Sequence, residues 1–326
     1  MHLKSLVVAA LAAVMTTALP ARTVPAYKGA IAVDAATGKV LIEDNADAVS
    51  PPASMTKLMT FAVLDDAIKR GEITMQTPVT VTAEDAKLAF LPKSTHVGLL
   101  KGEVFPVEEL VYAMMLQSAQ DAAYAVAHKV GGTVPAFVAA MNAKARELGM
   151  LHTTFRSPHG FPPPNHRETD GDLSTPRDYA LLCRYLVLHT DILKYTSVRT
   201  RPFGAGIRLQ PLLMGNHNRL LGRVPGVDGL KTGFTNDAGF CISATALRNR
   251  QRVIVVSMDS PDPKTRDTKV ADMIDRAFVL MPLNSIFAPA QAAGAQPAVP
   301  AAPTRPSPAP AAPAGPVIHY NGAGGG

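Results

Sequence analysis

Cysteine is nearly absent from this sequence: Cys183 and Cys241 are the only two in 326 residues. That excludes a small disulfide-stapled scaffold and a cysteine-rich zinc module. Cys183 stands in an apolar helical run and Cys241 in an apolar strand run, so two buried thiols are expected rather than a bridge. Charge is sparse as well, at 18% of residues with a formal net charge of +6. No Lys/Arg block and no basic–aromatic alternation occurs, which excludes an evident nucleic-acid surface. A mild positive excess more often marks only a solvated surface, though it also suits an acidic or carboxylate-bearing substrate. No long apolar run follows residue 19, so no transmembrane segment is expected. A His-Glu-x-x-His helix is also missing, and His159, His166, Asp170 and Asp172 match no metal-ligand spacing. They read as a polar loop.

What is present starts with an export signal. Lys4 precedes an apolar run from Leu6 to Leu19, with small residues near Ala18 and Ala21, which reads as a secretory signal peptide over residues 1–21. Residues 22–286 are rich enough in apolar side chains for one large domain. From about residue 287 the composition turns to Ala, Pro and finally Gly, with Arg305 the only charged side chain. Residues 287–326 are therefore expected to form an extended, disordered tail.

Within 22–286 the pattern alternates between strand and helix signals. Gly29 to Asn45 reads as a hairpin turning at Ala36-Thr37-Gly38. A helix is expected from about Ser54 to Gly71, with Leu58, Phe61, Leu64 and Ile68 on one apolar face. Helices follow from Pro106 to Leu116, Asp121 to Val130, Pro135 to Leu148, Pro176 to His189 and Arg266 to Met281. Thr196 to Leu221 reads as strand and loop. Apolar strands are expected at Gly239–Leu247 and Val253–Met258. A hairpin, then helices, then antiparallel strands is an α+β arrangement, with helices packed on an antiparallel sheet.

Three stretches carry chemistry. In Ser54-x-x-Lys57 the two side chains lie one helical turn apart, with Lys57 on the apolar face. Burial lowers a lysine pKa, and a neutral amine beside a hydroxyl is a base beside a nucleophile. The same residues also suit a helix start with a lysine reaching for solvent. Gln117-Ser118-Ala119-Gln120-Asp121 falls at a helix break, where Ser118 either passes protons or simply caps a helix. Asp228-Gly229-Leu230-Lys231-Thr232-Gly233-Phe234 precedes a strand. Lys231 and Thr232 offer a cation and a hydroxyl to a carboxylate, and Gly233 allows close approach of a peptide backbone. The alternative there is a turn with a solvated lysine.

In this order and at these separations, Ser54-x-x-Lys57, Ser118-x-Gln120 and Lys231-Thr232-Gly233 resemble the motif trio of the serine D-alanyl-D-alanine carboxypeptidases, low-molecular-mass penicillin-binding proteins. The resemblance covers residues 28–280. It extends to Asp34-Ala35-Ala36-Thr37-Gly38, Pro158-His159-Gly160, Thr175-Pro176-Arg177-Asp178 and Asn216-His217-Asn218-Arg219-Leu220-Leu221. It implies a β-lactamase/transpeptidase-like fold and an exported, periplasmic enzyme. The substrate would be a peptidoglycan stem peptide ending in D-Ala-D-Ala, with β-lactam antibiotics as covalent inhibitors. Neither cofactor nor metal is implied. Ser54 would be the nucleophile, Lys57 its base and Ser118 a proton relay. The N–H groups of Ser54 and Phe234 would hold the oxyanion. Lys231, Thr232 and Gly233 would take the substrate's terminal carboxylate and strand, assisted by Arg266.

The chain departs from the family at one site position. Gln120 stands where the family usually carries asparagine, whose amide holds the catalytic lysine and the substrate backbone; the resemblance therefore places Gln120 among the substrate-binding residues. This departure motivates a second reading, a penicillin- or peptidoglycan-binding pseudoenzyme. A serine β-lactamase shares the trio but needs a loop glutamate; Glu168 is the only one in the 157–176 loop, and its surroundings do not match that pattern.

Overall fold

The computed structural model describes residues 25–162, 167, 170–283 and 285–287. The proposed signal peptide lies outside the described residues, as do His166, Glu168 and the tail from residue 288.

A five-stranded antiparallel sheet organises the domain. Its strands are β1 (Gly29–Asp34), β2 (Val40–Asp44), β7 (Val227–Thr235), β8 (Gly239–Arg248) and β9 (Gln251–Ser260). They lie in the order β2-β1-β9-β8-β7, so the strand carrying Lys231-Thr232-Gly233 is an edge strand. Two small antiparallel pairs stand apart: β3 (Pro78–Thr80) with β4 (Val104–Pro106), and β5 (Thr200–Phe203) with β6 (Leu212–Gly215).

Burial on both faces explains the uninterrupted run Val253-Ile254-Val255-Val256 in β9. Ile254 and Val256 face the large core shared with the helices, together with Ile31, Val33 and Leu230. Val253 and Val255 face the opposite way, onto Val270, Ile274 and Ala277 of helix α8 (Pro263–Leu280). The α+β architecture expected from the sequence is what the chain forms.

The helices begin with a repeated device. Thr133, Thr175 and Asp262 each cap a helix through a side-chain oxygen, and proline occupies the first turn of each. Such a cap contributes about 1 kcal/mol, and proline is tolerated where no N–H is needed. These caps start α5 (Val134–Glu147), α6 (Pro176–His189) and α8. Helix α8 thus begins at Pro263, three residues ahead of the expected start, and Arg266 lies in its first turn. Helix α7 (Ile192–Thr196) falls at the edge of a stretch read as strand and loop.

Helix α1 (Lys57–Lys69), entered through a short 3₁₀ turn at Ala53–Thr56, departs from the one-faced pattern expected of it. Every residue from Lys57 to Leu64 is buried. It is a central helix, packed against α4 (Gln120–Gly131), α5 and α6, while the 3₁₀ turn that leads into it rests on β7 and β8. The chain stays ordered past the composition boundary. Ser285 Oγ donates to Asp34 at 2.6 Å, and Phe287 N–H donates to the Arg250 carbonyl at 2.8 Å. Phe287, assigned to the tail on composition, packs against the core.

Candidate active site

Ser54 sits in the 3₁₀ turn ahead of α1, and two close approaches hold that turn. On one side is β7. A Cβ added at Gly233 would lie 2.5 Å from the Pro52 carbonyl oxygen and 3.1 Å from the Ser54 nitrogen. Only glycine lets the edge strand run so near. On the other side, Gly160 has φ +77° and lies so close that a Cβ there would overlap the Ala53 carbonyl oxygen. The serine turn is therefore held between the sheet and the 158–160 loop.

Lys57 is fully buried, and its Nζ donates to Ser54 Oγ at 3.1 Å and to the His159 carbonyl at 2.8 Å. Burial lowers its pKa well below that of an ordinary lysine, and the neighbouring charge of Lys231 adds to the effect. The amine beside Ser54 is consequently poised to be neutral and to accept a proton.

Ser118 closes a break whose geometry the sequence hinted at. Helix α3 (Val107–Tyr112) runs into a π-helical turn over Ala113–Gln117, and Ser118 follows at φ +62°. A positive φ is uncommon outside glycine, and such strain concentrates at functional sites. The turn leaves the Ser118 hydroxyl 3.1 Å from Lys231 Nζ, which also donates to the Thr232 carbonyl at 3.0 Å. Lys231 is 1% exposed, and its pKa is pushed down to about 7 by burial and by the charge of Arg266. A bound carboxylate, opposite in sign, would draw the proton back onto it.

Ser54, Ser118, Gln120, Thr232, Gly233, Phe234 and Arg266 all line one cleft of about 300 Å³. Lys57 and Lys231 lie behind its wall, joined to it through Ser54 and Ser118. The structure thus brings together every site residue expected from the sequence. Phe234, half-exposed at the mouth, stacks on Phe240 at 4.1 Å between ring centroids. Arg266 is buried, donating to the Cys241 carbonyl at 3.3 Å and to Asp267 at 2.7 and 2.9 Å.

Gln120 lines the cleft without contacting Lys57. Its Oε1 atom accepts from Ser94 Oγ at 3.0 Å, so the His159 carbonyl is the group that holds the lysine. Several supporting residues carried no individual signal in the sequence. Thr95 Oγ1 donates to the Ser118 carbonyl at 2.8 Å, and buried Asp121 accepts from the N–H groups of Val97, Leu99 and Ala122. Asp172 accepts from Thr56 Oγ1 at 2.7 Å, from Ser157 Oγ, and from the N–H groups of Arg156 and Ser157. It is thereby committed to fixing the serine turn. Both cysteines are free and buried, and burial pushes each thiol up to about 12. Among the described residues, no helix is long and apolar enough to cross a membrane.

The D-alanyl-D-alanine carboxypeptidase family model matches residues 14–262. The chain is 33% identical over 251 residues to D-alanyl-D-alanine carboxypeptidase DacF of Bacillus subtilis, covering 77% of this chain and 62% of that protein. It is 36% identical over 252 residues to D-alanyl-D-alanine carboxypeptidase DacC of Escherichia coli, covering 76% of this chain and 60% of that protein. The chain therefore spans about three-fifths of the length of these curated relatives. Among solved structures it resembles penicillin-binding protein D2 of Listeria monocytogenes in its ampicillin-bound form. The TM-score there is 0.67 at 29% identity, covering 79% of this chain and 99% of that one.

Proposed function

Because the chain belongs to the D-alanyl-D-alanine carboxypeptidase family, we propose that it removes the terminal D-alanine from peptidoglycan stem peptides through an acyl-enzyme on Ser54. The observation that carries this reading is the fully buried Lys57 amine, its pKa lowered, 3.1 Å from the Ser54 hydroxyl.

In this mechanism the carboxylate of a peptide ending in D-Ala-D-Ala lies against Lys231 and Thr232, with Arg266 adding positive charge. The peptide backbone runs along the β7 edge, where Gly233 gives it room. Lys57 takes the hydroxyl proton as Ser54 Oγ bonds to the carbonyl carbon between the two D-alanines. The N–H groups of Ser54 and Phe234 hold the oxyanion, a stabilisation of about 3 kcal/mol per donor. On collapse the C–N bond breaks, and the proton returns through the Ser118 hydroxyl to the departing amine. Water then attacks the ester, giving a proton to Lys57 and restoring the Ser54 hydroxyl. The reading implies export of the chain from residue 22 onward after removal of the signal peptide. It also implies that β-lactams, whose strained amide meets the same serine, acylate the enzyme.

Purified protein should release D-alanine from a peptide ending in D-Ala-D-Ala, and penicillin should leave a covalent adduct on Ser54, located by peptide mass. An adduct without D-alanine release would instead leave a penicillin-binding protein without this activity. Rapid, repeated hydrolysis of penicillin would point to a lactamase.

A pH profile tests the base. Lys57 acts when neutral, so acylation falls as the pH drops through its pKa. Burial and then the charge of Lys231 depress that pKa. In Lys231→Gln the second cause disappears, Lys57 keeps its proton to higher pH, and the ascending limb of penicillin acylation should move to higher pH. A limb that stays in place or moves to lower pH would argue against Lys57 as the base.

A further inference from the structure

Gln120 has one methylene more than the asparagine usual in the family, and the fold takes up that length sideways. Its Oε1 accepts from Ser94 Oγ at 3.0 Å, its N–H donates to the Thr95 carbonyl at 2.8 Å, and Thr95 Oγ1 donates to the Ser118 carbonyl at 2.8 Å. Three hydrogen bonds thus fasten the 94–95 segment to the 118–120 turn. The other acceptor in reach of the Ser94 hydroxyl, the Thr95 carbonyl, is 3.5 Å away, a poorer partner than Gln120.

Gln120 is 4% exposed, yet it lines the cleft with Ser54 and Ser118. A primary amide has one acceptor end and one donor end. With Oε1 committed to Ser94, the Nε2 end is left as the donor on a side chain that lines the cleft, and the side-chain hydrogen bond Gln120 makes among the described residues is the one at Oε1. Lys57 does not take that donor: the hydrogen bonds of its Nζ run to Ser54 Oγ and the His159 carbonyl.

We infer that Ser94 is a positioning residue: it pins the Gln120 carboxamide oxygen so that Nε2–H donates into the cleft, to a backbone carbonyl of the peptide being cleaved. The longer amide is thereby a working substrate contact, and Ser94 is the residue that makes glutamine serviceable at this position. The inference rests on the carboxypeptidase reading.

The test is a set of variants of the full chain, assayed for D-alanine release and for penicillin acylation. Ser94→Ala should lower kcat/KM by about 10-fold, as expected when a substrate-contacting group is left free to rotate. Ser94→Thr keeps the hydroxyl and should recover most of that loss. The deciding arm is Ser94→Ala placed on Gln120→Asn. Asparagine is too short to reach Ser94, so there the loss should shrink to less than about 2-fold, the sign of direct coupling between the two side chains. An equal loss in both backgrounds would show that Ser94 merely shapes its loop, and no loss beside native Gln120 would also overturn the inference. If the wild type neither releases D-alanine nor is labelled by penicillin, the carboxypeptidase reading itself has failed and takes this inference with it.

Discussion

Replacing Lys57 with methionine should lower D-alanine release and penicillin acylation by about 10⁴-fold, the upper range for one positioned proton acceptor, while the protein stays folded. Lys57 is wholly buried, and its nearest hydroxyl is that of Ser54. Methionine fills nearly the same volume with flexible, polarizable atoms. It also removes a group whose charged form the interior penalises. The loss of the 2.8 Å bond to the His159 carbonyl works against that gain, by about 1–3 kcal/mol for an acceptor left unpaired. The two effects offset, so the thermal midpoint should fall by no more than a few degrees. Time courses of labelled penicillin give the acylation rate, and calorimetry gives the midpoint. A loss of under about tenfold would mean that another group takes the Ser54 proton.

Gly160→Ala, by contrast, should damage fold and site together. At φ +77° any side chain is strained, and a Cβ here would overlap the Ala53 carbonyl oxygen and stand 2.9 Å from Thr56 Oγ1. The loop cannot retreat freely. Thr60 Oγ1 donates to the Pro158 carbonyl at 2.6 Å, Lys57 donates to the His159 carbonyl, and Gly160 N–H donates to Ser157 Oγ at 2.8 Å. Relief of the clash must break some of these bonds. A cost of about 3–4 kcal/mol follows from overpacking plus an unfavourable φ, or roughly 6–16 °C in a domain of this size. The folded fraction should also turn over about 10²-fold more slowly, because the anchor of Lys57 has moved. Chemical denaturation and activity of the same preparation check both halves. A variant within about 1 kcal/mol of wild type would show that the loop yields without strain.

Much of this was legible in the sequence because the informative signals are local. Ser54 and Lys57 are one turn apart, Pro176 and Thr175 announce a helix start, and Val253 to Val256 spells a buried strand. The three motifs needed only their residue types and order. What stayed hidden acts through groups that composition does not display. The acceptor that holds Lys57 is a backbone carbonyl, and the residue supplying it, His159, draws the eye to its imidazole instead. Asp172 looked like a loop acid because its partners, Thr56 and Ser157, lie on other segments. Ser94 is an ordinary loop serine until the fold sets it beside Gln120. Helix α1 looked one-faced because Leu58, Phe61, Leu64 and Ile68 form a stripe, whereas the structure also buries Met59, Thr60, Ala62 and Val63 around it.

The serine turn, clasped between an edge strand and a loop, depends on segments far apart along the chain. Lys57 and the carbonyl that anchors it are separated by 102 residues, and Lys231 and Ser118 by 113. Closing such long loops carries an entropic cost that only the docked helical layer and sheet repay. During refolding, individual helices can therefore form while the chain is still chemically mute. On the carboxypeptidase reading, reactivity at Ser54 waits for these long-range closures, so a β-lactam should label finished molecules and pass over those still on the way.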